Sequence, residues 1–177
     1  AEILSSDISN SLSRCGLMFR IFHRVKSESS TKHKLLVKYA DKKVRLQDMI
    51  GIRIVVYFQD DVDLLALYYS VGDVVKKAID EFDSSTFRPQ RLNITSRIPE
   101  DMVDEFMTAL PEELKEYVEP TYEIQIRTVF SEGWHEVEHD MRYKGEELWS
   151  HYPGFSRYFN SILATLELCD KSMVTLF

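Results

Sequence analysis

Cysteine is nearly absent: Cys15 and Cys169 stand near opposite ends of the 177-residue chain. Two such residues exclude a disulfide framework and a cysteine-built metal site, and make a reducing cytoplasm the expected setting. Glycine is scarce, with six residues, and none of them builds the glycine-rich turn of a Walker phosphate loop. No apolar run approaches the roughly 20 residues that a membrane span requires, so no membrane partner is expected. Lysine and arginine are missing from Ala1 to Asn10, which carry two acids instead, so this segment does not read as a secretion signal. The chain opens on Ala1 rather than Met, as a processed, trimmed or excised chain would. Neither an internal repeat nor a low-complexity linker interrupts it, and one domain over residues 1–177 is expected.

With 44% apolar and 29% charged residues, the composition is that of a globular rather than a disordered protein. The net charge of −7 conceals an asymmetry, because Arg20 to Arg53 holds ten basic residues against three acids, Glu28, Asp41 and Asp48. A basic block on an otherwise acidic chain points to a focused anion site. A surface for long nucleic acid would make the whole domain basic. A solvated helix face would produce the same block, so charge alone leaves both readings open.

Residues 5–22 carry apolar positions at helical spacing, which predicts a helix with Leu12, Met18, Phe19 and Phe22 toward a core. Ser27 to Thr31 is a hydroxyl-rich break able to cap a helix over Lys32 to Ala40. Ile50 to Phe58, β-branched and aromatic, is the plainest strand. The turn Gln59-Asp60-Asp61 leads into a predicted helix from Val62 to Phe82, with Leu64, Leu65, Leu67, Tyr68, Val71, Val74, Val75 and Ile79 toward the core. Leu92 to Ile98 and Tyr122 to Thr128 read as further strands. Between them, Pro99 and Pro111 bracket a short acidic helix, read as an insertion or surface turn, and Glu112 to Glu119 reads as a solvated face. Phe130 to Tyr143 and Phe155 to Phe177 are predicted helices, separated by a loop around Pro153-Gly154. The predicted order is α-α-β-α-β-α-β-α-α. This is an α+β class, a mixed sheet covered by helices, with functional groups at strand ends and adjoining loops.

Two carboxylates fall at strand positions: Asp48 just before the Ile50 strand and Glu123 at the start of the Tyr122 strand. Neighbouring strands would bring them close together, and Mg²⁺ favours such hard oxygen ligands, completing its shell with water and phosphate. Surface acids paired with nearby arginines would give the same spacing. Residues i, i+2 and i+4 of a strand share a face, so Glu123, Gln125 and Arg127 project together while Ile124 and Ile126 point into the core. The stretch from Arg24 to Lys34 joins cations and hydroxyls to an expected helix start, where free N–H groups and the helix dipole favour phosphate.

Taken together, these segments resemble the synthetase domain of RelA/SpoT proteins, the enzymes that make (p)ppGpp. Arg24, Lys26, Ser30 and Lys34 match the family's Arg-x-Lys-x-x-x-Ser-x-x-x-Lys motif, and Asp48, Gly51 and Arg53 match Asp-x-x-Gly-x-Arg. Glu123-Ile124-Gln125-Ile126-Arg127-Thr128 follows, and then Trp134, Glu138, His139 and Tyr143-Lys144, so the similarity covers about residues 20–145. The resemblance implies a nucleotidyltransferase-like mixed sheet flanked by helices and a pyrophosphokinase that moves the β,γ-pyrophosphate of ATP to the 3′-hydroxyl of GDP or GTP. It implies that Arg24, Lys26 and Lys34 bind ATP phosphates with Ser30 nearby, and that Arg53 lines the ATP site. Asp48 and Glu123 would hold Mg²⁺, with Glu123 helping to deprotonate the attacking hydroxyl and Gln125, Arg127 and His139 supporting the site. The chain has no room for the family's separate hydrolase domain, so a short, synthetase-only form or a fragment is implied.

One stretch departs from the family. Its acceptor strand carries Gly-Tyr-x-Ser-x-His, whereas this chain reads Phe87-Arg88-Pro89-Gln90-Arg91-Leu92-Asn93-Ile94. Arg91 and Asn93 are expected at the inward positions, with Phe87 available for stacking. Alternative acceptors are therefore an adenosine nucleotide or an RNA 3′ end, and a further alternative is a nucleotide-binding regulatory module without turnover. His135-Glu136-Val137-Glu138-His139 also fits His-Glu-x-x-His, a zinc protease pattern, with Glu167 the conceivable third ligand. Arg142 stands where the extended zinc motif needs glycine, and three spaced motifs already account for Glu138 and His139. Trp134, Trp149 and Tyr152 are expected to pack rather than to bind a base, and Leu163, Leu166, Met173 and Leu176 to make core or homo-oligomer contacts.

Overall fold

Three runs of alternating β-branched and polar residues dictate the centre of the sheet. The computed structural model describes residues 1–38, 45–72, 74–79, 92–143 and 145–177. The strands are β1 (Phe19–Val25), β2 (Ile50–Val56), β3 (Val74–Ile79), β4 (Leu92–Arg97) and β5 (Thr121–Thr128). They form a mixed sheet in the order β1-β2-β5-β4-β3. β2 and β5 run parallel; the other neighbouring pairs are antiparallel.

Because side chains alternate, Ile52, Ile54, Ile94, Ile124 and Ile126 share one face, and all are buried. Helix α1 (Glu2–Arg14) lays Leu4, Ile8 and Leu12 on this face, four residues apart, and α3 (Gln59–Tyr68) adds Val62 and Leu65. Helix α4 (Glu100–Ala109) packs Met102, Val103 and Phe106 against the same core. It is therefore more than a surface turn. A second cluster joins Leu46, Met49, Leu110, Leu114 and Val118, so the 3₁₀ turn Glu112–Tyr117 buries Leu114 while its acids face solvent. Helix α2 (Glu28–Lys38) follows β1. Helix α5 (Val129–Val137) starts where β5 ends, continues as a π turn (Glu138–Tyr143), and is followed by α6 (Glu146–Ser150) and α7 (Pro153–Leu176). Among the described residues no helix is long and apolar enough to cross a membrane.

The three predicted strands and the α+β class agree with this fold, but two predicted helices do not. The one expected over residues 5–22 ends at Arg14, where Gly16 takes a φ of 73°, and Phe19–Val25 is strand β1. Leu12 is buried as expected, but Met18 and Phe22 are exposed. The one expected from Val62 to Phe82 ends at Tyr68, and Val74–Ile79 is strand β3 beyond Gly72, at φ 136°. Leu65 is buried, whereas Leu64, Leu67, Tyr68, Val71 and Ile79 are exposed. Ser27 to Thr31 is no break: Ser27 Oγ accepts the N–H of Ser30 and caps α2, which runs from Glu28. Pro153 opens α7 rather than lying in a loop.

Candidate functional site

The sheet face opposite α1 and α3 is polar because its residues alternate with the core residues. One row across it runs Arg24, Gly51, Glu123 and Thr95; the next runs Phe22, Arg53, Gln125 and Asn93. A Cβ built on Gly51 would stand 3.5 Å from Cγ and Nε of Arg24. The Arg24 side chain therefore lies across the glycine, in the row that continues to Glu123.

Glu123 is held at both oxygens. Asn93 Nδ2 donates to one at 3.1 Å, and Gln125 Nε2 donates to the other at 2.8 Å. The Gln125 carbonyl oxygen in turn accepts from Arg53 Nε at 3.4 Å. Arg53 also donates to Glu132, whose second oxygen accepts from Arg127 at 2.8 Å. The result is a continuous chain of hydrogen bonds, Asn93–Glu123–Gln125–Arg53–Glu132–Arg127, across three strands and the first turn of α5. Burial pushes the Arg127 guanidinium down in pKa, opposed by its hydrogen bond to Glu132. Arg24, Arg53, Gln125 and Arg127 line a cleft of about 430 Å³, shared with Glu138 and His139 from the end of α5 and the π turn. His139 Nδ1 lies 3.0 Å from an Asp140 carboxylate oxygen.

The second carboxylate has different company. Asp48 Oδ2 accepts from both Lys26 and Lys34 at 2.6 Å, while its Oδ1 is buried with no hydrogen-bond partner among the described residues. Burial pushes the Asp48 carboxyl up, but the hydrogen bonds and charges of Lys26 and Lys34 together outweigh it and hold it below the ordinary aspartate value. Burial lowers Lys26, and Asp48 offsets only part of that. Asp48 stands three residues before Gly51, the residue opposite Glu123. That is at most about 10 Å back along the strand direction. The two acids thus lie on neighbouring segments of the sheet but have separate partners.

Residues 23–148 match a family described as a region found in RelA / SpoT proteins. The chain belongs to the RelA/SpoT family. Its fold is similar to that of small alarmone synthetase 1 from Bacillus subtilis, at 20% identity over 99% of this chain and 88% of the other, with a TM-score of 0.65. Structures of that protein bound to its product pppGpp and to AMPCPP match as well. A GTP pyrophosphokinase family protein from Streptococcus pneumoniae is 20% identical over 99% of this chain and 86% of the other, with a TM-score of 0.66. A sequence search of curated proteins returned no significant relative.

Within this RelA/SpoT fold the first motif divides. Arg24 lines the cleft, Lys26 and Lys34 hold Asp48, and the Ser30 hydroxyl bonds to Ser27 within the first turn of α2. The four expected residues Arg53, Gln125, Arg127 and His139 meet at the cleft. Asn93 reaches Glu123, as its strand face allows, whereas Arg91 and the preceding Phe87 lie outside the described residues. Glu167 lines a separate pocket between α3 and α7, away from the cleft that His135 and His139 share. Trp134 packs as expected, stacked on Phe159 with its N–H on the Phe159 carbonyl.

Two groups were not anticipated from sequence. Glu132 is 8% exposed and joins the two arginines; its only signal is a lone acid among the apolar residues that open α5. Thr128 caps α5 by accepting the Ser131 N–H and donates to Asp170 of α7, anchoring the helix beside the cleft. No local sequence pattern links residues 128 and 170.

Proposed function

We propose that this protein is a pyrophosphokinase that transfers the β,γ-pyrophosphate of ATP to the 3′-hydroxyl of GDP or GTP. The observation that carries the reading is the convergence of Arg24, Arg53 and Arg127 on one cleft, beside a Glu123 clamped by Asn93 and Gln125. Family membership and the nucleotide-bound relatives support it.

In the transfer, the acceptor 3′-oxygen bonds to the β-phosphorus of ATP, the bond from that phosphorus to the α,β-bridging oxygen breaks, and AMP leaves with that oxygen. Such a reaction needs positioning and charge neutralisation more than covalent help from the protein. Arg24 and Arg53 suit the phosphates because a guanidinium offers paired N–H donors, and Lys26 and Lys34 add point charges. Each Glu123 oxygen accepts one amide N–H and keeps a lone pair, so the carboxylate is oriented yet free to take the hydroxyl proton.

Asp48 and Glu123 would hold Mg²⁺. The donor set fits: both are hard oxygen ligands, and Asp48 Oδ1 is buried with no partner among the described residues. Mg²⁺ commonly takes one or two protein carboxylates and completes its shell with water and phosphate. Bound there, the ion supplies charge neutralisation on the phosphates.

A different acceptor is the second reading, favoured by the absence of tyrosine and histidine from residues 87–94. Incubating protein and Mg²⁺ with β,γ-labelled ATP and, in parallel, GDP, GTP, ADP, ATP or tRNA decides between them. Label is expected on GDP and GTP. Label on another acceptor replaces guanosine, and transfer to none leaves a nucleotide-binding module without turnover. Glu123→Gln is expected to abolish transfer with the fold intact; undiminished transfer would remove Glu123 from the mechanism.

A further inference from the structure

Glu132 is a buried acid that the proposed chemistry does not use. It sits in the first turn of α5, gives one carboxylate oxygen to Arg53 and the other to Arg127, and is 8% exposed. Both arginines line the cleft; Glu132 does not. Two long, like-charged side chains from adjacent strands repel each other and would each swing toward water if left alone. A carboxylate bonded to both, on a helix N-terminus capped by Thr128, fixes their spacing. Each guanidinium has five N–H donors. Among the described residues Arg53 commits Nη1 to Glu132 and Nε to Gln125, and Arg127 commits Nη1 to Glu132, which leaves N–H donors on both for an anion in the cleft.

We infer that Glu132 is a positioning residue that presents Arg53 and Arg127 as a preset two-guanidinium receptor for the polyphosphate of the nucleotide. The inference rests on reading the cleft as a nucleotide site. It runs against simple charge counting. Glu132 reduces the positive potential of the cleft, so as a bulk charge it would weaken anion binding, and neutralising it would tighten the complex. As a positioning group it has the opposite effect, because an anion arriving at two mobile arginines must order both. Each hydrogen bond between charged groups is worth enough that losing the shared carboxylate outweighs the gain in potential.

The test is calorimetric binding of α,β-methylene-ATP, the corresponding ADP analogue, and adenosine to the intact chain and to Glu132→Gln, with circular dichroism to check the fold. Glu132→Gln is expected to weaken the triphosphate about tenfold or more, the diphosphate less, and adenosine not at all. A fold defect would weaken all three together. Equal or tighter triphosphate binding, or an equal loss for adenosine, overturns the inference. If Glu132→Gln fails to fold, Glu132→Asp takes its place. It keeps the charge but is one methylene short, so the same phosphate-dependent loss is expected, and affinity equal to wild type overturns the inference. Failure of the wild-type chain to bind any of the nucleotides would overturn the nucleotide reading itself and this inference with it.

Discussion

The two lysines of the first motif are spent on a carboxylate: Lys26 and Lys34 both donate to Asp48 Oδ2 at 2.6 Å. On the proposed reading, nucleotide and metal exchange these partners. The lysines pass to phosphate and Asp48 passes to Mg²⁺. Asp48→Asn separates the two halves of that exchange. A phosphate oxygen bound to either ammonium would lie about 5–6 Å from the Asp48 carboxylate, from one hydrogen bond on each side. At an effective dielectric constant near 20, one unit charge at that distance is worth about 3 kcal/mol. Partial exposure of all three side chains, 15% to 25%, and physiological salt bring this to about 1.4 kcal/mol, or tenfold. Asp48→Asn should therefore bind ATP about tenfold more tightly than wild type in the presence of a chelator, yet gain nothing from added Mg²⁺ and transfer no pyrophosphate. Titration of ATP by calorimetry, with and without Mg²⁺, measures both terms. Weaker metal-free binding in Asp48→Asn, or a Mg²⁺ response equal to that of wild type, would refute the exchange.

Three further outcomes follow from other contacts. Thr128→Val removes both the cap of α5 and the partner of Asp170; together these should cost about 2–4 kcal/mol and lower Tm by about 5–10 °C in a thermal melt, and an unchanged Tm would show that neither contact matters. Burial raises the Asp170 carboxyl, against a smaller opposing effect of Thr128. The folded state thus holds this proton more tightly than the unfolded state, and wild-type stability drains away as pH rises through the raised value. Asp170→Asn should therefore gain on wild type as pH rises from 4 to 7 in urea denaturation, and a constant difference would contradict the assignment. At Gly51 a Cβ meets Arg24 at 3.5 Å, ordinary contact, so Gly51→Ala should keep nucleotide affinity while Gly51→Val, whose γ carbons reach beyond that contact, should displace Arg24 and weaken binding; equal affinity in both variants would show that Arg24 does not depend on that glycine.

The strands legible in the sequence are those at the centre of the sheet. β2, β5 and β4 bury nearly all of one face, and burial writes alternation into Ile50-Gly51-Ile52-Arg53-Ile54 and Glu123-Ile124-Gln125-Ile126-Arg127. β1 and β3 are the two edges, and most of their side chains are exposed on both faces. Weak burial leaves weak alternation, and the apolar residues of Phe19 to Val25 and Val74 to Ile79 then fit a helical period equally well. A glycine just past the end of α1 and another in the turn between α3 and β3 are signals against long helices there. Gly16 and Gly72 both take positive φ, a conformation that stops a helix and costs glycine little.

The site follows a similar division. Alternation places Glu123, Gln125 and Arg127 on one face with no further information, and motif spacing adds Arg24, Asp48 and Arg53. What neither reveals is how these charges pair with one another. On the proposed reading, spacing records which residues reach the nucleotide, while pairing depends on contacts between elements far apart in the chain, such as Lys26 with Asp48 and Arg53 with Glu132. The two kinds of pairing differ in consequence. The Lys26–Asp48–Lys34 group joins cations to an acid that the proposed chemistry itself claims, so ligand binding must break it. The Arg53–Glu132–Arg127 group joins cations to an acid outside the cleft, so ligand binding can leave it whole. Metal and nucleotide should therefore reorganise the α2 side of the site and leave the α5 side as it is. Arginine suits the α5 side for a physical reason, since one guanidinium can keep its bonds to Glu132 and still offer donors to phosphate, which a lysine ammonium with three donors does less well.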